Sequence, residues 1–369
     1  MKTGIKMENI IIIGAGLSGL STAYNLKKQN IQFKVFEAQN RMGGRIETIY
    51  GKNNTPMEMG ATWFGKDHKN LIYFLAELNV EYFEQNTEGI ALFETMSFEP
   101  PQKYFVPANN PSSYRIQGGT SQIIKTLKEK IGVDNIILNA EIIQIEEQKD
   151  CIKITDNLQN NFYCKKLVVA IPPNTIKNSL KFIPEIPENV NDIIQKTQTW
   201  MSGSTKFSVE YETPFWKKIG FSGSVYSQCG FATEIYDHSN FEKTRFALKG
   251  FLNSSAQHFT IKERKEKVIK QLEHYFGDKS IQFLSYQDKI WNNKYIQSNT
   301  DTFLAPHYNN GHSVYENSYM NNKLFFTGTE TSSIYGGYME GAIFAANSVV
   351  KKILKTIIIN HQGLSFTNK

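Results

Sequence analysis

The chain has 369 residues, of which 40% are hydrophobic and 21% charged, and it carries a formal net charge of +6; this composition is typical of a globular protein and not of a disordered one. The positive charge is dispersed, and the three cysteines form no C-x-x-C pair, so the sequence indicates neither a nucleic-acid surface nor a disulfide framework. Apolar runs are shorter than the roughly 18–20 residues of a membrane span and no signal peptide precedes the first strand. We therefore expect a cytoplasmic protein that binds neither nucleic acid nor membrane.

The first predicted elements form a βαβ unit. Residues 10–13 are all isoleucine, as in a parallel strand buried on both faces. Residues 17–29 predict a helix, and residues 32–37 alternate and end in an acid, as a second strand would.

The rest of the chain predicts two interleaved domains. Amphipathic helices are expected at 69–79 and 120–132, short strands between 136 and 171, several aromatic strands over 203–252, a helix at 259–276, a strand at 324–327 and a last helix at 341–354. The predicted fold is α/β, with a discontinuous Rossmann-like domain (1–86, 116–185 and 295–369) and a second, α+β substrate domain (87–115 and 186–294).

The turn between the first strand and helix fits G-x-G-x-x-G, with Gly14, Gly16 and Gly19 as its glycines. The first glycine permits the tight turn, the second lets a pyrophosphate approach the backbone, and the third lets the helix pack closely on the strand. Ala15 and Ser18 belong to the same turn, where free N–H groups and the helix dipole favour phosphate. Glu37 ends the second strand, where a carboxylate accepts hydrogen bonds from a ribose. This motif alone fits NAD as well as FAD.

A second glycine motif follows directly. Residues 41–45 read Arg-Met-Gly-Gly-Arg, so two guanidinium groups flank a close backbone turn. An arginine here can neutralise pyrophosphate charge.

At this point the sequence resembles the flavin-containing amine oxidase family. The matching segments come in the family's order and cover most of the chain: residues 14–19, 37–45, 57–63, 118–120, 169–173, 326–331 and 337–341. The resemblance implies FAD as the cofactor. It implies further cofactor-binding residues at Ala38, Arg45, Gly60, Ala61, Ile142, Gly328, Glu330 and Met339. Met339, at the start of the last helix, would offer a backbone N–H to the pyrimidine end of the flavin.

The resemblance also implies two catalytic residues. Lys206 lies in a strand-like stretch and resembles the family lysine that holds a water against flavin N5. Tyr338 resembles one wall of the family's aromatic cage, which aligns the amine with the flavin.

The sequence departs from the family pattern in two places. Trp291 resembles the tryptophan that precedes the second cage wall, but Asn299 and Thr300 fall where monoamine oxidases place a flavin-linking cysteine and a tyrosine. We therefore expect non-covalent FAD and an incomplete cage, with Thr300 in the substrate site and Trp63 or Tyr335 as replacement walls. Only about thirty residues separate Glu88 from Gly118, where larger relatives insert a helical cap.

The prolines at 100, 101, 107 and 111 predict an extended loop in place of the cap, and hence a shallow, open pocket. If the substrate is an amino acid, Arg115 and Arg245 are the candidates for binding its carboxylate.

Three functions fit this sequence. The first is an oxidase that passes a hydride from a primary or secondary amine to FAD and then reduces O2 to hydrogen peroxide. The second is a dehydrogenase or desaturase, or an NAD(P)H oxidase, built on the same cofactor frame. The third is a flavoprotein without catalytic activity. A homodimer is possible.

Overall fold

The computed structural model describes residues 7–108, 113–296 and 304–365, the last eight of them as backbone only. Thr300 and Asn299 therefore lie outside the described residues. Within these ranges the α-helices are Leu17–Lys28, Lys69–Leu78, Ser121–Ile131, Pro173–Ser179, Glu188–Gln195, Phe215–Lys218, Ile261–Phe276 and Met339–Ser365. Short 3-10 helices are Val133–Asn135, Ser254–His258, Asp278–Ile281, Ser313–Glu316 and Thr329–Thr331.

The first sheet contains the N-terminal strand at its centre. Its main path, in spatial order, is Lys181–Ile183, Ile142–Glu147, Ile152–Asp156, Asn161–Val169, Met7–Ile13, Phe33–Phe36 and Ile136–Ile137. Leu324–Phe326 pairs in parallel with Asn161–Val169, and Ser318–Tyr319 pairs with Leu324–Phe326.

The central strand is buried on both faces, as predicted. It runs parallel to Asn161–Val169 on one side and to Phe33–Phe36 on the other. Since side chains alternate along a strand, Ile10 and Ile12 pack against the helices on one face while Ile11 and Ile13 pack into a second core on the other. The predicted Rossmann-like βαβ unit is thus confirmed.

The second sheet is mostly antiparallel, in the order Phe283–Ile290, Thr205–Tyr211, Phe246–Leu252, Ala232–Asp237, Phe221–Ser227, Gly89–Glu94 and Gln102–Val106. One face, with Phe207, Val209 and Leu248, packs on the helix Ile261–Phe276. The alternate positions, including Lys206 and Lys249, point to the opposite face. Two further antiparallel pairs are Thr48–Tyr50 with Pro56–Glu58, and Tyr82–Glu84 with Tyr114–Ile116.

The expectation of an extended loop over residues 88–118 is corrected. Gln102–Val106 is the edge strand of the second sheet and pairs antiparallel with Gly89–Glu94. Pro101 and Pro107 stand just outside this strand, so every N–H within it can donate. No helix occurs between residues 89 and 108 or between 113 and 120.

The strands of the second sheet come from residues 89–106 and 205–290, while the exact domain boundaries stay a prediction. The last helix begins at Met339, two residues earlier than expected, and continues to Ser365. In the described residues, no helix is both long and apolar enough to cross a membrane.

Candidate active site

A cavity of about 700 Å³ runs from the glycine turn of the first sheet to the second sheet. Its walls come from distant parts of the chain. The predicted residues that line it are Gly14, Gly16, Ser18, Glu37, Ala38, Arg45, Ala61, Trp63, Ile142, Lys206, Gly328, Glu330, Tyr338 and Met339. The predicted residues Ala15, Gly19, Gly60 and Tyr335 are not among its lining residues.

Two glycines of the first motif, Gly19 and Gly16, have different surroundings. A Cβ on Gly19 would lie 2.0 Å from the carbonyl oxygen of Gly14, so the close packing of helix on strand requires glycine there. A Cβ on Gly16 would meet nothing within 4 Å, because this position faces the cavity. The cradle thus has space for a phosphate where the motif predicts one.

The second glycine motif packs onto the first. The Gly43 N–H donates to the carbonyl of Ala15 at 2.9 Å, and a Cβ on Gly44 would stand 3.3 Å from the Cα of Gly16. Two backbones therefore approach each other at the predicted pyrophosphate site.

Glu37 lines the cavity directly after the strand Phe33–Phe36. Its carboxylate accepts the N–H groups of Ala15 at 2.7 Å and Gln39 at 3.0 Å. Burial raises the pKa of this carboxyl, while the two N–H donors oppose the rise. Ala38 and Ile142 line the same part of the cavity, which suits the adenosine half of a dinucleotide.

Arg45 and Glu330 form a bidentate ion pair. The guanidinium donates to both carboxylate oxygens, at 2.5 and 2.9 Å, and also to the carbonyl of Trp200 at 3.0 Å. Glu330 is completely buried, so this pair fixes the guanidinium on the cavity wall. The pair joins residues from the two ends of the chain.

Lys206 is buried on the cavity-facing side of the second sheet. Its Nζ donates to the carbonyl of Gly60 at 2.7 Å and lies 4.7 Å from the ring centroid of Phe251. Burial lowers the pKa of the amine from its usual 10.5 to about 7, although Glu58 and Glu234 act in the opposite direction. At neutral pH this lysine can therefore exist without its proton.

Tyr338 lies in an aromatic group that the sequence did not predict. The ring of His307 lies nearly parallel to that of Trp200, at 4.7 Å, and to that of Tyr338, at 5.6 Å, and the three rings form one cluster. Trp200 lines the cavity and its ring centroid is 6.0 Å from that of Tyr338. Tyr335 instead packs edge-on against His68 at 4.7 Å, away from the lining. Trp63, the other proposed wall, does line the cavity.

A second buried lysine also escaped prediction. Lys249 is fully buried; its Nζ donates to Thr62 Oγ1 and lies 4.7 Å from the ring centroid of Trp63. Thr62 Oγ1 in turn donates to the Gly60 carbonyl at 3.1 Å, so both lysines hold the same short segment. The alternation of side chains along a strand could have predicted that Lys249 and Phe251 share the face of Lys206. They are two residues apart on a strand that pairs with the strand of Lys206.

Neither candidate arginine for a substrate carboxylate reaches the cavity. Arg115 is buried and donates to His238 Nδ1 at 2.8 Å and to the carbonyl of Ser239. Arg245 lines a separate surface depression. The cavity lining includes none of the three cysteines, Cys151, Cys164 and Cys229. No cysteine side chain is therefore placed to form a covalent bond with a flavin in the cavity.

The fold and the site define a flavin-dependent oxidoreductase. The model of the family described as flavin containing amine oxidoreductase matches residues 17–95 and 89–354. The chain therefore belongs to that family. Its cofactor is FAD.

Relatives are similar over nearly the full chain. The probable flavin-containing monoamine oxidase A of Dictyostelium discoideum is 25% identical, covering 94% of this chain and 97% of its own. The flavin-containing amine oxidase A of Canis lupus familiaris is 21% identical, covering 96% and 87%. Cyclohexylamine oxidase from Brevibacterium oxydans shares the fold with a TM-score of 0.83 at 18% identity, covering 95% of this chain and 100% of that one.

Proposed function

We propose that this protein oxidises a primary or secondary amine to an imine, which water then hydrolyses to an aldehyde or a ketone, and that it passes the electrons to O2. The amine loses a hydride from the carbon next to nitrogen and a proton from nitrogen, and O2 takes up both to become hydrogen peroxide. The observation that carries the proposal is the buried Lys206 amine on the cavity wall, 2.7 Å from the Gly60 carbonyl. Bound FAD supplies the hydride acceptor.

The contribution of Lys206 follows from its surroundings. The Gly60 carbonyl fixes the direction of Nζ, and burial keeps the pKa of the amine near 7. Such an amine can hold a water and exchange a proton with it near neutral pH. The family resemblance gives a lysine of this kind the task of holding water beside the flavin ring.

Aromatic side chains orient the substrate. Tyr338, Trp200 and Trp63 line the cavity, and flat apolar walls restrict the approach of an amine to a few orientations. The same walls exclude water, which favours the neutral amine that can lose a hydride.

The substitution Lys206→Met tests the proposal. We expect it to reduce the rate of amine oxidation by about a hundredfold or more, while bound flavin and overall fold stay intact. Lys262→Met, at an exposed helix position, is the matched control. Unchanged amine turnover and unchanged flavin reoxidation in Lys206→Met would contradict the role of Lys206.

A substrate panel separates this proposal from the other reactions of the same cofactor frame. Holoenzyme is mixed anaerobically with primary amines, secondary amines and NADH, and flavin bleaching is followed at about 450 nm. Bleaching by amines is expected. Bleaching by NADH alone would favour a nicotinamide oxidase, and bleaching by none of them would favour a different donor.

A further inference from the structure

We propose that Lys249 is a positioning residue for amine oxidation: it fixes residues 60–63, and through them it orients both the Lys206 amine and the Trp63 wall of the cavity. The inference rests on the proposed function, because it adds a residue to the same reaction.

Lys249 lies on Phe246–Leu252, an interior strand of the second sheet. Its side chain is fully buried and is not among the residues that line the cavity. Two of the residues that it contacts, Thr62 and Trp63, do line the cavity. Lys249 therefore acts on a bound amine through its neighbours and not by direct contact.

The first contact fixes the Gly60 carbonyl. Nζ of Lys249 donates to Thr62 Oγ1, so the hydroxyl keeps its own hydrogen for the Gly60 carbonyl, which accepts it at 3.1 Å. The same carbonyl accepts the Lys206 amine at 2.7 Å. A carbonyl oxygen has two lone pairs, and these two donors use both. Lys249 thus sets the direction of the acceptor that holds Lys206.

The second contact fixes the Trp63 ring. Nζ of Lys249 lies 4.7 Å from the ring centroid, and an ammonium group is attracted to an aromatic face. The indole N–H donates to Gln85 Oε1 at 3.1 Å, and the Gln85 amide in turn donates to the Asp237 carbonyl at 2.9 Å. The lysine on the face and the glutamine at the edge together restrict the ring to one orientation in the cavity wall.

The surroundings of Lys249 disfavour its charge. Burial lowers the pKa of the amine well below its usual 10.5, and the charge of Lys206 acts in the same direction, whereas Glu58 opposes both. Among the described residues, none of the ion pairs includes Lys249. Folding alone therefore gains little from a lysine at this position.

A methionine at position 249 would keep the volume and leave the neighbouring polar groups with partners. The Thr62 hydroxyl keeps the Gly60 carbonyl, and the Glu58 carboxylate keeps the donors of Thr48 and Thr120. Replacing buried charged side chains by apolar ones of similar volume is often neutral or stabilising. The substitution Lys249→Met can thus separate an effect on the reaction from an effect on folding.

The test compares Lys249→Met with Lys166→Met on the holoenzyme. Lys166 is a buried lysine of the first sheet, outside the cavity lining, whose Nζ donates to the Asn322 carbonyl at 3.2 Å. With the primary amine that bleaches wild-type flavin fastest, Lys249→Met should slow anaerobic flavin reduction about 10- to 100-fold, while its thermal unfolding midpoint does not fall. Lys166→Met should keep the wild-type rate. A wild-type rate in Lys249→Met would overturn the inference.

A double-mutant cycle shows whether Lys249 acts through Lys206. If it does, Lys249→Met should slow flavin reduction less in the Lys206→Met background than in the wild type, because the amine that it orients is already absent. Equal fold losses in the two backgrounds would overturn the inference. Lys249→Gln, which keeps an N–H donor, should lose less than Lys249→Met and replaces it in the cycle if the methionine variant does not fold.

Indole NMR signals separate this inference from the proposed function. The chain has four tryptophans, and Trp63→Phe identifies the signal of Trp63. Hydrogen exchange of the Trp63 indole N–H should become about tenfold faster or more in Lys249→Met and stay at the wild-type rate in Lys166→Met. If this result is found but amines fail to reduce the flavin, the proposed reaction is wrong and the positioning of Trp63 by Lys249 stands. An unchanged exchange rate in Lys249→Met would refute that positioning, whatever the activity.

Discussion

At the scale of single residues, the two glycines Gly16 and Gly19 show how one motif serves both folding and binding. Gly16 has extended backbone angles (φ −72°, ψ 177°) that any residue adopts, and open space in front of it. At Gly19, by contrast, an added Cβ would lie 2.0 Å from the carbonyl oxygen of Gly14. Gly16 therefore leaves space for the cofactor, whereas Gly19 allows the helix to pack on the strand.

This difference predicts opposite phenotypes. Gly16→Ala should keep the stability of the apoprotein within about 1 kcal/mol, yet weaken FAD binding by tenfold or more because its methyl group enters the phosphate site. Gly19→Ala should destabilise the apoprotein by about 1–3 kcal/mol through overpacking. Denaturant unfolding of apoprotein and fluorescence titration with FAD measure the two effects. Equal stability losses in both variants would refute this division.

The buried amine of Lys206 predicts a pH dependence of stability. Its pKa is about 7 in the fold and close to 10.5 in the unfolded chain, so the unfolded state binds more protons between these values. The free energy of unfolding should therefore rise with pH across this window, by up to about 1.4 kcal/mol per pH unit from this residue.

In Lys206→Met that contribution is absent. Denaturant unfolding of the apoprotein at pH 7.5 and pH 9.5 should show a smaller rise for the variant than for the wild type. An identical rise in the two proteins would show that the lysine keeps an ordinary pKa.

At the scale of elements, the N-terminus of the last helix also supports a second helix. Glu340 is buried, and its carboxylate accepts the N–H groups of Asn70 at 3.1 Å and Leu71 at 2.7 Å. These N–H groups belong to the first turn of Lys69–Leu78, whose N-cap residue His68 makes no capping bond of its own. One acid thus caps a helix about 270 residues earlier in the chain.

Removing this cap should cost stability. Glu340→Ala is expected to lower the free energy of unfolding by about 1–3 kcal/mol, because two N–H groups in the first turn of the helix lose their acceptor. Glu77→Ala, a surface site on the same helix that pairs with Lys28, is the control and should cost less than about 1 kcal/mol. Thermal or denaturant unfolding compares them; a Glu340→Ala protein as stable as the control would disprove the cap.

The elements differ in how far the sequence predicted them. The isoleucine strand, the glycine turn and the helices at 69–78 and 121–131 carry strong local signals, and the structure confirms them. The strand Gln102–Val106 was missed because its flanking prolines are a local signal for a loop. What makes the segment a strand is its pairing with Gly89–Glu94, which is a tertiary contact. Trp200 and Glu234 were missed for the same reason: cross-strand register and loop packing bring them to the cavity.

At the scale of the whole molecule, the cavity unites both sheets. Gly14 and Glu37 from the first sheet, Lys206 and Phe251 from the second, and Gly328 and Met339 from the C-terminal part of the chain all line it. FAD that contacts all of these segments should stabilise them together, since binding to the native state alone raises stability by about 4 kcal/mol at a thousandfold excess over Kd.

Hydrogen exchange can measure this coupling. Adding FAD to apoprotein should slow exchange in residues 14–19, 58–63 and 328–342 in parallel, whereas the hairpin 89–106 at the edge of the second sheet should show little change. Protection confined to residues 14–19 would mean that the far segments do not contact the cofactor.

The Arg45–Glu330 ion pair joins residues far apart in the sequence, and so does the cavity wall that contains Gly14 and Met339. This separation affects the order in which the cavity can form during synthesis. The glycine turn leaves the ribosome about 320 residues before Met339, an interval of about 15 to 60 seconds at usual elongation rates. The central strand likewise awaits its parallel neighbour at 161–169. A nascent chain that stops before Glu330 and Met339 therefore lacks part of the cavity wall, and we expect it to bind FAD more weakly than the full chain does.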